Sequence, residues 1–134
     1  MEFVRAILEA KADPNRPGSN KSPPLTVAAR FVQPDTVRLL LLYKANPNVN
    51  PDRGSRPLHV SAALPEADAL RMMLAARAEV EQMHRDGTRA LHFAATAGSA
   101  ACTAALLAAG ASVNVVDVGG RSPLIAGAKA GRVE

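Results

Sequence analysis

Three histidines, one cysteine and a spaced set of aspartates are the residues of this chain best suited to chemistry. A histidine beside a carboxylate can act as a general base, and a cysteine beside a histidine can act as a nucleophile. His59 and His92 occupy matching strings, Pro57-Leu58-His59-Val60-Ser61-Ala62 and Ala90-Leu91-His92-Phe93-Ala94-Ala95. One repeated structural environment accounts for both histidines at once. Neither has a cysteine or a second histidine at ligand spacing, so no zinc site is expected. His84 reads as a solvated turn residue. Cys102 has no histidine near it in the same frame, which points to a buried, inert thiol. Asp52, Asp86 and Asp117 fall near turns, where carboxylates cap the backbone. Gly119-Gly120-Arg121-Ser122 lacks the spacing of a phosphate loop and reads as a turn. These residues imply no catalytic constellation, no cofactor and no metal.

The interval from His59 to His92 governs the rest of the chain. Leu25, Leu58, Leu91 and Leu124 follow one another at that interval, and Gly54, Gly87 and Gly120 do the same. Ala12, Ala45, Ala78 and Ala111 form a third series, and nothing breaks the register. The result is a 33-residue frame, and a fixed period of this length is the mark of a solenoid. The units are 18–50, 51–83 and 84–116, with a half unit at each end, 1–17 and 117–134. Together they make one domain, and both ends fall inside a unit, as suits either a fragment or degenerate caps.

Local signals place two helices in each unit. Phe3, Val4, Ile7 and Leu8 give one apolar helical face before Lys11-Ala12-Asp13-Pro14-Asn15 stops it. A helix follows Pro23-Pro24, where proline suits the first helical position. Gln33-Pro34-Asp35 then breaks the chain, and Thr36 to Tyr43 forms the second helix. Pro57 to Ala63 and Ala67 to Ala76 repeat the pair, as do Ala90 to Ala97 and Ala100 to Ala109. Asp86-Gly87 asks for a turn with positive φ. Gly110-Ala111 ends a helix with a left-handed cap. The last half unit stops after its first helix.

These strings resemble the ankyrin repeat, a glycine turn followed by Thr-Pro-Leu-His-x-Ala-Ala, Val-x-x-Leu-Leu and Gly-Ala-Asp-x-Asn. The matches are Pro23-Pro24-Leu25-Thr26-Val27-Ala28-Ala29, Arg56-Pro57-Leu58-His59, Arg89-Ala90-Leu91-His92 and Ser122-Pro123-Leu124-Ile125-Ala126. The closing string appears at Lys11 to Asn15, Lys44 to Asn48 and Gly110 to Asn114. The resemblance implies an all-α solenoid of stacked helix–turn–helix units with short hairpin-like turns. Its leucines should stack and be buried, with Leu40, Leu41, Met72, Met73, Leu74, Leu106 and Leu107 between the second helices. Arg56 and Arg89 replace the motif threonine, so the hydrogen bond to the histidine must be rebuilt or lost. Lys11, Lys44 and Arg77 replace the helix-ending glycine, at about 1 kcal/mol each if left-handed. Val32 and Pro65 stand at the glycine between helices, so unit 51–83 should be looser than unit 84–116.

Composition bounds the function. The chain has 134 residues, 48% of them apolar, and a formal charge of +4, which favours acidic partners over basic ones. A single cysteine excludes an internal disulfide and suits a reducing, cytoplasmic or nuclear setting. No apolar run is long enough to span a membrane. Lys21, Arg53, Arg56, Arg85, Arg89 and Arg121 fall on the hairpin side and suggest a basic edge, offset there by Asp52, Asp86 and Asp117. The resemblance implies a non-catalytic scaffold that binds a protein, possibly acidic, through hairpin tips and the concave face. The alternative is a regulatory segment of a larger enzyme or channel. Mapped here, the family's binding positions are Ser19, Asn20, Ser22, Arg30, Phe31, Asn50, Asp52, Arg53, Ser55, Leu64, Met83, Arg85, Asp86, Thr88 and Thr96, with Arg89 beside them. Phe31, Leu64 and Met83 are the apolar members. Nucleic acid is not expected, because no aromatics interleave with the basic residues. A monomer is expected.

Overall fold

The computed structural model describes residues 2–18, 21–49 and 56–131. Within them lie eight helices and no strand: α1 (Glu2–Glu9), α2 (Pro24–Arg30), α3 (Pro34–Leu42), α4 (Pro57–Ala62), α5 (Asp68–Ala75), α6 (Ala90–Ala97), α7 (Ala100–Ala108) and α8 (Pro123–Lys129). First helices α2, α4, α6 and α8 stack in one row, and second helices α3, α5 and α7 in another. Each unit is too small to bury its own apolar face, so the core runs between units. α2, α4 and α8 start with proline at the first helical position, as the sequence suggests. α3 does the same at Pro34, two residues before the expected start at Thr36. Proline lacks only an N–H that a first turn leaves unpaired, so the break and the helix start coincide.

The core follows the 33-residue frame. Leu25, Leu58 and Leu91 are buried, and so are Leu40, Met73 and Leu106 between the rows. Ala29, Ala62 and Ala94 are fully buried and let the first helices approach closely. Leu41, Met72 and Leu74 are half-buried against this core. Two expected core residues are not in it. Leu124 is 81% exposed and Leu107 44% exposed, because among the described residues nothing packs on the outer side of α7 and α8.

The substituted glycine positions keep the backbone they inherit. Lys11, Lys44 and Arg77 have φ of 72°, 71° and 70°, and Val32 has 53°. Gly98 and Gly110 hold the equivalent places in unit 84–116 at 72° and 88°, without a side-chain penalty. The carbonyl pairing past each helix end is the same throughout: Ala45 N–H donates to Leu40, Ala78 to Met73 and Ala111 to Leu106, at 2.9, 2.9 and 3.0 Å.

Candidate partner-binding surface

The hairpins are built from the backbone outward. His84 N–H donates to Thr88 C=O at 2.8 Å, Asp117 N–H to Arg121 C=O at 3.0 Å and Gly18 N–H to Ser22 C=O at 3.2 Å. Gly87, at φ 80°, provides the turn in the first of these. An added Cβ there would stand 3.2 Å from the Asp117 backbone of the next hairpin. The hairpins join where Val118 N–H donates to Asp86 C=O at 2.8 Å.

The aspartates cap these turns. Asp86 Oδ1 accepts Thr88 N–H at 3.0 Å. Thr88, chiefly through its side chain, holds the Asp86 carboxyl below its ordinary range. Asp117 accepts the N–H groups of Gly119 and Arg121 at 2.9 and 3.0 Å and pairs with Arg121 Nε at 3.0 Å. The backbone bond from Arg121 is the main cause of its lowered pKa. Asp52 lies outside the described residues.

The histidines bind the units together. His92 Nδ1 accepts Arg89 N–H at 3.1 Å, and Nε2 donates to Arg121 C=O of the next unit at 2.8 Å. The missing threonine is thus replaced by backbone. His59 Nε2 donates to Gln82 C=O at 2.9 Å, but its buried Nδ1 has no partner among the described residues. There the bond is lost. Burial pushes the His59 imidazole pKa down. His84 is not a freely solvated residue. Its ring lies 6.1 Å from both His59 and Phe93, edge-on, while His59 stacks on Phe93 at 5.1 Å. It also faces Asp86 Oδ1 at 3.5 Å. Cys102 is fully buried, with Sγ 3.2 Å from Leu64 C=O, and burial raises its pKa. Among the described residues no group of three or more His, Cys, Asp or Glu side chains could hold a metal.

The candidate contact residues form two groups. Met83, Arg85, Asp86, Thr88 and Arg89 gather on the hairpin before α6. Arg30, Phe31 and Leu64 stand at the opposite ends of their first helices, about 10 Å away for a seven-residue helix. Thr96 is exposed in the last turn of α6. Ser22 is buried, so it belongs to the turn and not to a contact face. Ser19, Asn20, Asn50, Arg53 and Ser55 lie outside the described residues.

The basic edge is not uniform. Arg89 pairs with Glu81 at 3.0 Å and rests against Met83 Sδ, and Arg121 pairs with Asp117. Arg85 is exposed with no ion pair among the described residues, and Met83 beside it is 52% exposed.

One connecting device escapes a reading based on motif matching. Asn15 Oδ1 accepts Asn46 N–H at 2.6 Å, and Asn48 Oδ1 accepts Glu79 N–H at 2.8 Å. Their amides donate to Lys44 and Arg77 C=O at 3.5 and 3.1 Å. Glu81 holds the same position and accepts Ser112 N–H at 3.1 Å, but a carboxylate has no amide to donate. Its other oxygen takes Arg89 instead. The recurrence of Asn15, Asn48 and Asn114 at one place in the repeat frame was the available signal.

A family model described as ankyrin repeats (3 copies) matches residues 58–134. No curated protein matches the chain.

Proposed function

The chain belongs to the ankyrin repeat family, and on that premise we propose that it is a protein-binding scaffold with no reaction of its own. Ankyrin repeats are generally protein–protein interaction modules. The partner engages the hairpin tips and the inner face of the first helices, and it is acidic. Arg85 carries this reading: it is exposed at a hairpin tip, without an ion pair among the described residues, beside exposed Met83. Arginine is over-represented among the residues that anchor interfaces, and methionine is enriched there too. Arg56 is the counterpart of Arg89 one unit earlier, at the start of α4, and extends the positive edge toward the preceding unit. Arg53 and the neighbouring Ser55 continue it as part of the same proposal.

A binding partner recovered with the purified chain provides the test. Arg56→Glu with Arg85→Glu should weaken association mainly through the on-rate, and the effect should shrink as salt rises. Exposed charges are screened over about 8 Å at physiological ionic strength. Unchanged affinity in the double variant, with no salt dependence, removes the basic edge from the interface.

A further inference from the structure

Of the three histidines, His84 is the one whose surroundings leave it open to a proton. His92 is buried and has both ring nitrogens committed, Nδ1 to Arg89 N–H and Nε2 to Arg121 C=O. His59 is fully buried and gives its Nε2–H to Gln82 C=O. The His84 side chain is 26% exposed, and its Nδ1 lies 3.5 Å from Asp86 Oδ1. That contact becomes an ion pair when the imidazole is charged.

The position itself departs from the pattern of the next unit. In the 33-residue frame His84 corresponds to Asp117, whose carboxylate caps its own turn through the N–H groups of Gly119 and Arg121. His84 has no carboxylate, so Asp86 supplies the cap instead, through Thr88 N–H. That choice sets a negative charge directly beside Arg85, the exposed cation of the hairpin tip. Asp86 C=O also accepts Val118 N–H, so the same residue joins this hairpin to the next.

Three elements meet around the His84 ring among the described residues. Its own hairpin offers Asp86, flanked by Arg85 and by Arg89, which is already paired with Glu81. α4 offers His59, with ring centroids 6.1 Å apart, and carries Arg56 at its start. α6 offers the uncharged ring of Phe93, also 6.1 Å away. Asp86 favours a charge on His84, and the cations and a charged His59 oppose it. Burial holds the His59 pKa down, and a charged His84 lowers it further, so the inner ring stays neutral while the outer one is charged.

We propose that His84 is a proton-operated control of the partner site. When charged it pairs with Asp86 and leaves Arg85 unopposed, which admits an acidic partner. When neutral it leaves Asp86 to offset Arg85. This control rests on the reading that the partner is acidic and meets Arg85. Histidines change charge between about pH 8 and 5, so binding tightens on mild acidification. One unit of charge about 8 Å from a partner carboxylate, in water, corresponds to roughly a two- to threefold gain in affinity. The inner histidine bounds the range, because stronger acid forces a proton onto His59 and opens the fold. Binding therefore passes through a maximum as pH falls.

Two measurements test this. In the free chain, NMR of the ring protons should show His84 taking up a proton between about pH 8 and 5, with the Thr88 amide shifting in step because it is bound to Asp86. A His84 ring that does not titrate overturns the proposal whatever the chain binds. The second measurement uses a rhodamine-labelled peptide of glutamates interspersed with leucines, whose carboxylates stay charged at about pH 6. The wild type should bind it roughly two- to threefold more tightly at about pH 6 than at about pH 7.5, with an unchanged circular dichroism spectrum. His84→Gln should lose that gain. Asp86→Asn keeps a side-chain oxygen for the turn and should bind at the higher pH as tightly as the wild type does at the lower one. Equal wild-type affinity at the two pH values, or a gain that survives in His84→Gln, overturns the control and leaves the acidic-partner reading standing. A peptide that binds at neither pH overturns both.

Discussion

Leu58 and Leu124 hold the same place in the 33-residue frame, yet Leu58 is fully buried and Leu124 is 81% exposed. The difference comes from the neighbour, since a repeat buries its leucine only when the next unit closes over it. Leu58→Ala and Leu91→Ala should each cost about 2–5 kcal/mol. Leu124→Ala should cost less than about 0.5 kcal/mol. Urea unfolding of the three variants gives the comparison. Equal costs would separate stability from position in the stack.

Most of the architecture was legible because it depends on period and local stops. Pro24, Pro57 and Pro123 mark helix starts by chemistry that needs no neighbour. The left-handed φ of Lys11, Lys44 and Arg77 could be read from the glycine they replace. The exposure of Leu124 could not, because the motif is the same and only the neighbour differs. His84 was misread for a related reason: its apolar contacts, His59 and Phe93, come from α4 and α6 and not from its own turn. The basic edge was half legible. Charge shows in the sequence, but the pairing of Arg89 with Glu81 and Arg121 with Asp117 depends on side-chain geometry.

His59 should make the fold acid-sensitive. Its pKa is lowered from 6.5, first by burial and then by His84 and Arg56, against the bond to Gln82 and the charge of Asp86. Below about 6.5 the unfolded chain takes up a proton that the folded chain refuses. The stability tied to this residue is therefore full above that pH and is lost as pH falls toward the lower folded value. The slope is at most about 1.4 kcal/mol per pH unit. Unfolding free energies measured from pH 7.5 down to about 5 should fall less steeply in His59→Gln than in the wild type. Parallel curves would place the acid sensitivity elsewhere.

Protection from hydrogen exchange should be uneven. α5 starts at Ala67 without a side-chain cap and is followed by the left-handed Arg77. α7 starts at Ser99, whose hydroxyl accepts Cys102 N–H at 3.3 Å, and is followed by Gly110. A cap is worth about 1 kcal/mol, and a left-handed non-glycine residue costs about as much. Amides in residues 66–80 should exchange faster than those in residues 100–110. The reverse order would mean that packing between rows outweighs the helix ends.

Arg85 and Arg89 share one hairpin and should behave differently. The Arg89 guanidinium spans Glu81 and Met83, and its side chain is 22% exposed. Removing it frees a carboxylate that also holds Ser112 N–H in the next unit. Arg89→Ala should therefore lower stability by about 1 kcal/mol, the upper range for such a pair. Arg85 touches no acid among the described residues, so Arg85→Ala should stay within about 0.5 kcal/mol. Binding should rank them the other way, because a free cation steers an acidic partner and a paired one is already neutralised. Thermal melts and association rates of the two variants supply both orders. If Arg89→Ala slows association more than Arg85→Ala while leaving the melt unchanged, the Glu81 pair is not what holds it.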